Sequence, residues 1–219
     1  MTSASLPRRL RCAICLRAQS ACICQWVTPV AHRVEVLILQ HPLEVANAKG
    51  SARLLHLSLP HSRMLTGEVF SEQVLLGAPL EPQGATQTVV LGAKHNILLY
   101  PDSPEDRALN LPAPPALAPE LLSDPSRLRL IVLDGTWRKS RKMLYLNPPL
   151  QQLPRLSLQD MPASNYRIRK AHRADQLSTL EATCAALMQL ERCVEPFQPL
   201  LRAFDGFVEQ QLGYRGGSS

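Results

Sequence analysis

The 219-residue sequence predicts an α/β protein whose sheet is largely parallel and flanked by helices. Three observations carry that prediction. Arg129 to Leu133 is an almost continuous apolar run, as expected of a strand covered on both faces. Arg33 to Gln40 (RVEVLILQ) is a second β-branched, apolar segment of strand length. Helix-forming stretches follow both, and strands alternating with helices form βαβ units.

Taken in order, the first 30 residues stand apart: four cysteines and four arginines, with Trp26 behind them. The strand Arg33–Gln40 leads through His41-Pro42 into a helix from about Ala46 to Leu57. His41, beside a proline, reads as a loop or capping residue. Thr88 to Leu91 and Asn96 to Tyr100 are two short strands. Seven prolines between Pro101 and Pro125 exclude regular structure over most of that stretch, leaving one short helix near Glu105 to Leu109. The strand at 129–133 ends in Asp134-Gly135-Thr136, and a helix follows from Trp137 to Leu146, stopped by Asn147-Pro148-Pro149. Ser178 and Glu181 form a capping box for a last helix, with Leu180, Cys184, Leu187 and Glu191 on one face. Residues 213–219 read as a flexible tail.

Composition narrows the class. Charged residues make up 19% and hydrophobic ones 45%, which excludes a disordered chain, and only 5% are aromatic, so the core is aliphatic. No apolar run reaches the length of a membrane span, and no apolar stretch follows the N-terminal arginines, so the expectation is a soluble, cytoplasmic protein.

In that setting clustered cysteines are metal ligands rather than a disulfide framework. Cys12, Cys15, Cys22 and Cys24 offer two close pairs, enough to present four thiolates to one zinc ion. Four thiolates leave no open coordination position, so such a zinc is structural, and in so short a segment it supplies the folding energy. A redox-active or merely buried cysteine set is the alternative. Cys184 and Cys193 read as helix packing residues.

Chemistry is sought first among the common nucleotide and hydrolase motifs, and the sequence has none of them: no G-x-G-x-x-G, no Walker loop, no H-E-x-x-H, no G-x-S-x-G. What remains is Asp134-Gly135-Thr136-Trp137. In an open α/β sheet, ligands bind beyond the carboxyl ends of strands, where Asp134 stands. Gly135 permits close approach to the backbone. Thr136 or Asp134 serves equally as an ordinary helix cap.

Charge points to a polyanion. Twelve of the 24 cations fall in three segments free of carboxylates. These hold Arg8, Arg9, Arg11 and Arg17; Arg138, Lys139, Arg141 and Lys142; and Arg167, Arg169, Lys170 and Arg173. Concentration of a modest net charge of +6 at three places is the footprint of phosphate binding.

With these residues in view, the sequence resembles the DTW-domain family, the tRNA-uridine aminocarboxypropyltransferases, and most closely their bacterial type. The resemblance rests on the four cysteines, Gln40-His41-Pro42-Leu43-Glu44, Leu99-Tyr100-Pro101 and Asp134-Gly135-Thr136-Trp137. Ser164 to Lys170 and Leu177 to Ala182 follow in the same order. Lys49-Gly50-Ser51 departs from the polar pair expected before Ala52. The resemblance implies a SPOUT-like, knotted α/β catalytic domain over residues 31–212 behind the zinc-binding segment 1–30.

It further implies transfer of the 3-amino-3-carboxypropyl group from S-adenosylmethionine to N3 of a tRNA uridine, in the variable loop, releasing methylthioadenosine. Under it Asp134 is general base or orienter, with Thr136 and Trp137 beside it in the catalytic motif. Trp137 either stacks on uracil or adenine or packs in the core. Leu99, Tyr100, Pro101, Gly135 and the loop Leu177, Ser178, Thr179 contact the cofactor, and Arg167 or Arg169 takes its carboxylate. The remaining cations, Lys170 and Arg173 included, meet tRNA. A monomer is expected. A non-catalytic zinc-ribbon RNA-binding protein and a SPOUT-type RNA methyltransferase are the competing readings.

Overall fold

Why the two apolar segments carry no polar face is plain from their neighbours. In the computed structural model, which describes residues 10–77, 94–101, 111–158 and 177–216, they are the two inner strands β1 (Glu35–Gln40) and β4 (Leu128–Asp134). They join β2 (Ser62–Thr66), β3 (His95–Leu99) and the two-residue β5 (Arg155–Leu156) in one sheet, ordered β2-β1-β4-β3-β5 and parallel throughout. Every residue of β1 and β4 is buried.

Alternation along the strands divides the core in two. Val36, Ile38, Ile97, Leu130 and Val132 face one layer, built from α1 (Ala52–Ser58), α5 (Thr179–Glu191) and α6 (Gln198–Gly216). Leu37, Leu39, Leu98, Ile131 and Leu133 face the other, built from α2 (Glu72–Leu76), α3 (Trp137–Leu146) and α4 (Pro148–Gln151). The result is a three-layer α/β/α sandwich.

Local chemistry sets the element ends. Thr136 Oγ1 accepts the Lys139 N–H and starts α3 at Trp137, as expected from the sequence. The capping box of α5 is complete: Ser178 Oγ accepts from Glu181 N at 3.2 Å, and Glu181 Oε2 accepts from Ser178 N at 2.8 Å. Leu180, Cys184 and Leu187 are fully buried, and the Glu191 carboxylate accepts the Arg33 and Val34 N–H groups.

Three expectations need correction, and the stop at Asn147 holds but is extended. The first helix begins at Ala52, not Ala46, because His41 and Pro42 first turn the chain through a short 3-10 helix, Pro42–Glu44. The helix at Ser178 is not the last; α6 follows and reaches Gly216, four residues into the expected tail. Asn147-Pro148-Pro149 ends α3 but also opens α4, since proline suits a helix's first turn. Cys193 is no packing residue: it lies past the left-handed cap Arg192, partly exposed, its thiol donating to Glu195. The strand at 88–91 and the helix near 105–109 lie outside the described residues.

The cysteine segment is not a separate appendage. Ile23 and Cys15 belong to the main core layer, and Trp26 lies against Gly206 of α6 and donates to Gln210 Oε1 at 2.5 Å. Packing on α6 thus shares with the cysteines the work of holding this segment.

Candidate active site at the carboxyl ends of the strands

The chain leaves β1 toward β2 on one side and β4 toward β5 on the other, so the sheet's switch point lies between β1 and β4. A crevice opens beyond strand ends at such a point. Gln40 and Asp134 occupy it, paired in register at the last position of both strands. Asp134 is 5% exposed, and its carboxylate is gripped from two sides. Gln40 Nε2 donates to Oδ2 at 2.9 Å and Thr179 Oγ1 donates to Oδ1 at 2.7 Å. These two donors fix the plane of the carboxylate.

A small cleft opens here, lined by Glu44, Asn47, Lys49, Gly50, Ser51, Asp134, Ser178 and Thr179. It brings Asp134 together with Ser178 and Thr179 before and at the start of α5 and with the stretch 44–51 before α1. Ser51 stitches these together: its Oγ accepts the Leu180 N–H at 3.2 Å. Gln40, Glu44 and Asn47 were missed as site residues; their signal was their place just after an apolar strand. Lys49-Gly50-Ser51, noted in the sequence as a departure, lies in the cleft wall.

On the β3 side, Tyr100 is buried while Trp137 is 48% exposed, so Trp137 is not a core residue. The two rings meet edge to face with centroids 5.9 Å apart, leaving a face of the indole toward solvent. The Arg155 guanidinium lies 5.1 Å from the Tyr100 centroid. Leu99 joins the core, and Pro101 is exposed. Gly135 makes room for α3 itself: a β-carbon there would come 3.0 Å from Lys139 Cβ. His41 acts as a cap, its Nδ1 accepting Leu43 N–H at 3.1 Å, which leaves Nε2 to donate to Glu68 at 2.6 Å.

The basic segments divide. Lys139, partly buried, pairs with buried Glu44 at 2.7 Å, and Lys142 pairs with Glu68 at 2.7 Å while staying exposed at the surface. Lys142, with His41 behind it, holds the Glu68 carboxyl below its usual range. Arg138 is exposed and Arg141 partly buried. Arg17 is a strut: it donates to the carbonyls of Ala48 at 2.6 Å and Gly50 at 2.7 Å and lies over the Phe207 ring. Arg11 donates to Leu16 O at 2.8 Å and is otherwise exposed. Arg8, Arg9, Arg167, Arg169, Lys170 and Arg173 lie outside the described residues.

The four N-terminal cysteines converge with all sulfurs within 4.8 Å of one another. Cys12 and Cys24 are 3.6 Å apart, Cys15 and Cys22 3.8 Å. Tetrahedral zinc–thiolate bonds of about 2.3 Å require sulfurs about 3.8 Å apart, so the set could hold a metal ion such as zinc. Leu16, in the left-handed region at φ 60°, makes the turn between the pairs. The backbone amides of Cys15 and Ile14 hold the Cys12 thiol down to about 6, whereas burial pushes Cys24 up to about 12. Among the described residues no helix is long and apolar enough to cross a membrane.

The DTW domain model matches residues 9–212. The chain is 27% identical over 215 residues to tRNA-uridine aminocarboxypropyltransferase 2 of Mus musculus, covering 94% of this chain and 64% of that protein. It is 28% identical to the protein of the same name from Drosophila melanogaster, covering 94% of this chain and 76% of that one. Similarity to tRNA-uridine aminocarboxypropyltransferase A of Arabidopsis thaliana is 31% over 148 residues, 63% of this chain and 51% of that protein. This chain thus spans under two thirds of the mouse relative's length. No solved structure matches it.

Proposed function

The chain belongs to the DTW-domain family, and on that premise we propose that it transfers the 3-amino-3-carboxypropyl group of S-adenosylmethionine to N3 of a tRNA uridine, in the variable loop. The observation that carries this reading is Asp134: a buried carboxylate at the switch point, aimed by Gln40 and Thr179, with an exposed tryptophan three residues on. The strand order supports a SPOUT-like, knotted catalytic domain over 31–212, behind the cysteine segment 1–30.

The reaction displaces a thioether. N3 of uracil attacks the γ-methylene of the methionyl chain, the carbon–sulfur bond breaks with its electrons going to sulfur, and neutral methylthioadenosine leaves. The N3 proton must go elsewhere. A carboxylate is a weak base toward free uridine, but N3–H becomes strongly acidic as the new bond forms. Asp134 therefore orients N3–H at first and receives its proton late. Choosing the γ-methylene over the methyl is a matter of orientation. That task falls to the cleft walls, 44–51 and Leu177 to Thr179, with Leu99, Tyr100, Pro101 and Gly135 toward the nucleoside. Arg167 or Arg169 holds the carboxylate. Trp137 stacks on the target base, and Thr136 holds α3 in place as its cap. Cys12, Cys15, Cys22 and Cys24 would hold a zinc ion that supports the fold and takes no part in transfer.

The test is incubation with unmodified tRNA and S-adenosylmethionine, followed by mass spectrometry of nucleosides and cofactor products. An aminocarboxypropyl uridine and methylthioadenosine are expected, and Asp134→Ala abolishes both while retaining tRNA binding. S-adenosylhomocysteine in their place would make the protein a methyltransferase and overturn the reading.

A further inference from the structure

Helix α3 presents a face that the proposed chemistry leaves unused. Its buried side is Ser140, Met143 and Leu144. Opposite lie Arg138, Lys142 and Tyr145, all exposed and spaced four and three apart on one stripe, with Arg141 at its edge. Tyr145 is 57% exposed, an unusual state for a tyrosine in a chain with so few aromatics.

The Glu68–Lys142 pair ties a loop with exposed Val69 to this face. Charge sets the kind of partner. The stripe carries arginine and lysine, and the carboxylate beside it, Glu68, is paired with Lys142. Flat aromatic faces interleaved with guanidinium groups suit unpaired nucleotides, whose bases stack and whose phosphates need cations.

We propose that this stripe is a docking face for single-stranded RNA beside the target uridine, with Tyr145 stacking on a flanking base and Arg138 meeting a phosphate. The proposal rests on the tRNA reading and deepens it. Lys139, which local charge alone would class with the arginines, is tied instead to buried Glu44.

The experiment measures binding of unmodified tRNA, and of a ten-nucleotide oligouridylate, over a range of salt concentrations. Tyr145→Ala should weaken binding about tenfold, because a stacked base contributes on the order of 1–3 kcal/mol, and should leave the dependence on salt unchanged. Tyr145→Phe keeps the ring and should bind as the wild type does, which separates stacking from any loss of fold. Arg138→Gln should lower the salt slope by about one, the mark of a lost phosphate contact. Wild-type protein that bound neither RNA would overturn the tRNA reading and this face with it. Wild-type binding left intact by both Tyr145→Ala and Arg138→Gln would overturn the face alone and turn the search to a protein partner.

Discussion

Replacing Gly206 by alanine sets two known effects against each other, and the structure says which wins. In a helix interior the change should stabilise by about 1 kcal/mol through backbone entropy. At this position of α6, however, the new methyl would lie 2.5 Å from Trp26 Cη2 and 3.0 Å from Cε3. Overpacking of this kind costs about 1–3 kcal/mol. If the indole swings away instead, its hydrogen bond to Gln210 is lost, about 1 kcal/mol more, together with contact between the cysteine segment and α6. The expected net is a loss of about 1 kcal/mol, or roughly 2–4 °C in the melting temperature of a chain this size.

Calorimetry measures it, and a double-mutant cycle identifies its source. Phenylalanine lacks the outer ring atoms that meet the new methyl. In a Trp26→Phe background, Gly206→Ala should therefore be neutral or stabilising. The same loss in both backgrounds, or a Gly206→Ala protein more stable than wild type, would refute the seating of Trp26 on α6.

Other consequences follow from the cysteine cluster, the buried histidines and Thr179. The protein should carry one zinc ion per chain by elemental analysis. Cys15→Ser should lose it and lower the melting temperature, whereas Cys184→Ala should keep it, since burial pushes that thiol up to about 12 and leaves it inert. Burial pushes His32 below its ordinary 6.5, against the Val34 carbonyl bond that raises it, and burial lowers His56 too. Both are neutral when folded, so the unfolded chain takes up protons first as the pH drops. Their contribution is present above pH 6.5 and is lost as pH falls from there toward the folded values, with a slope of at most about 1.4 kcal/mol per pH unit for each group. Chemical denaturation between pH 7.5 and 5 should show that slope, reduced in His32→Gln; an unchanged slope would remove His32 from the account. Thr179→Val removes one of the two donors to Asp134 and should slow single-turnover transfer about tenfold or more, with Thr179→Ser restoring it. Wild-type rates in the valine variant would mean that Gln40 alone suffices.

How much of this was legible beforehand depended on whether an element's signal is local. Strands β1 and β4 were readable because burial on both faces leaves no polar alternation, and α3 and α5 because their caps are written within four residues. Edge strand β2 (SRMLT) was not, since it is half exposed and polar at both ends. Helix α6 was missed because the glycine-rich end from residue 213 read as a tail, and the reason for Gly206 is a tryptophan 180 positions away.

The same limit explains the basic segments. A stretch without carboxylates reads as a phosphate site only if no distant carboxylate folds onto it. Glu44 and Glu68 do so, and of the four cations of α3 it is Arg138 and Lys142 that stay exposed. Arg17 is the stronger case. Its charge suggested RNA, yet its guanidinium holds the carbonyls of Ala48 and Gly50, and Gly50 is part of the cleft wall beside Asp134. Arg53, in α1, returns the link by donating to Ile14 O at 2.5 Å, inside the cysteine turn. The cysteine cluster is thus two hydrogen-bonded contacts from the candidate active site. A metal held there would stiffen the turn that carries Arg17, and through it the loop 47–51. The four cysteines then bear on the cleft's geometry as well as on the fold of their own segment.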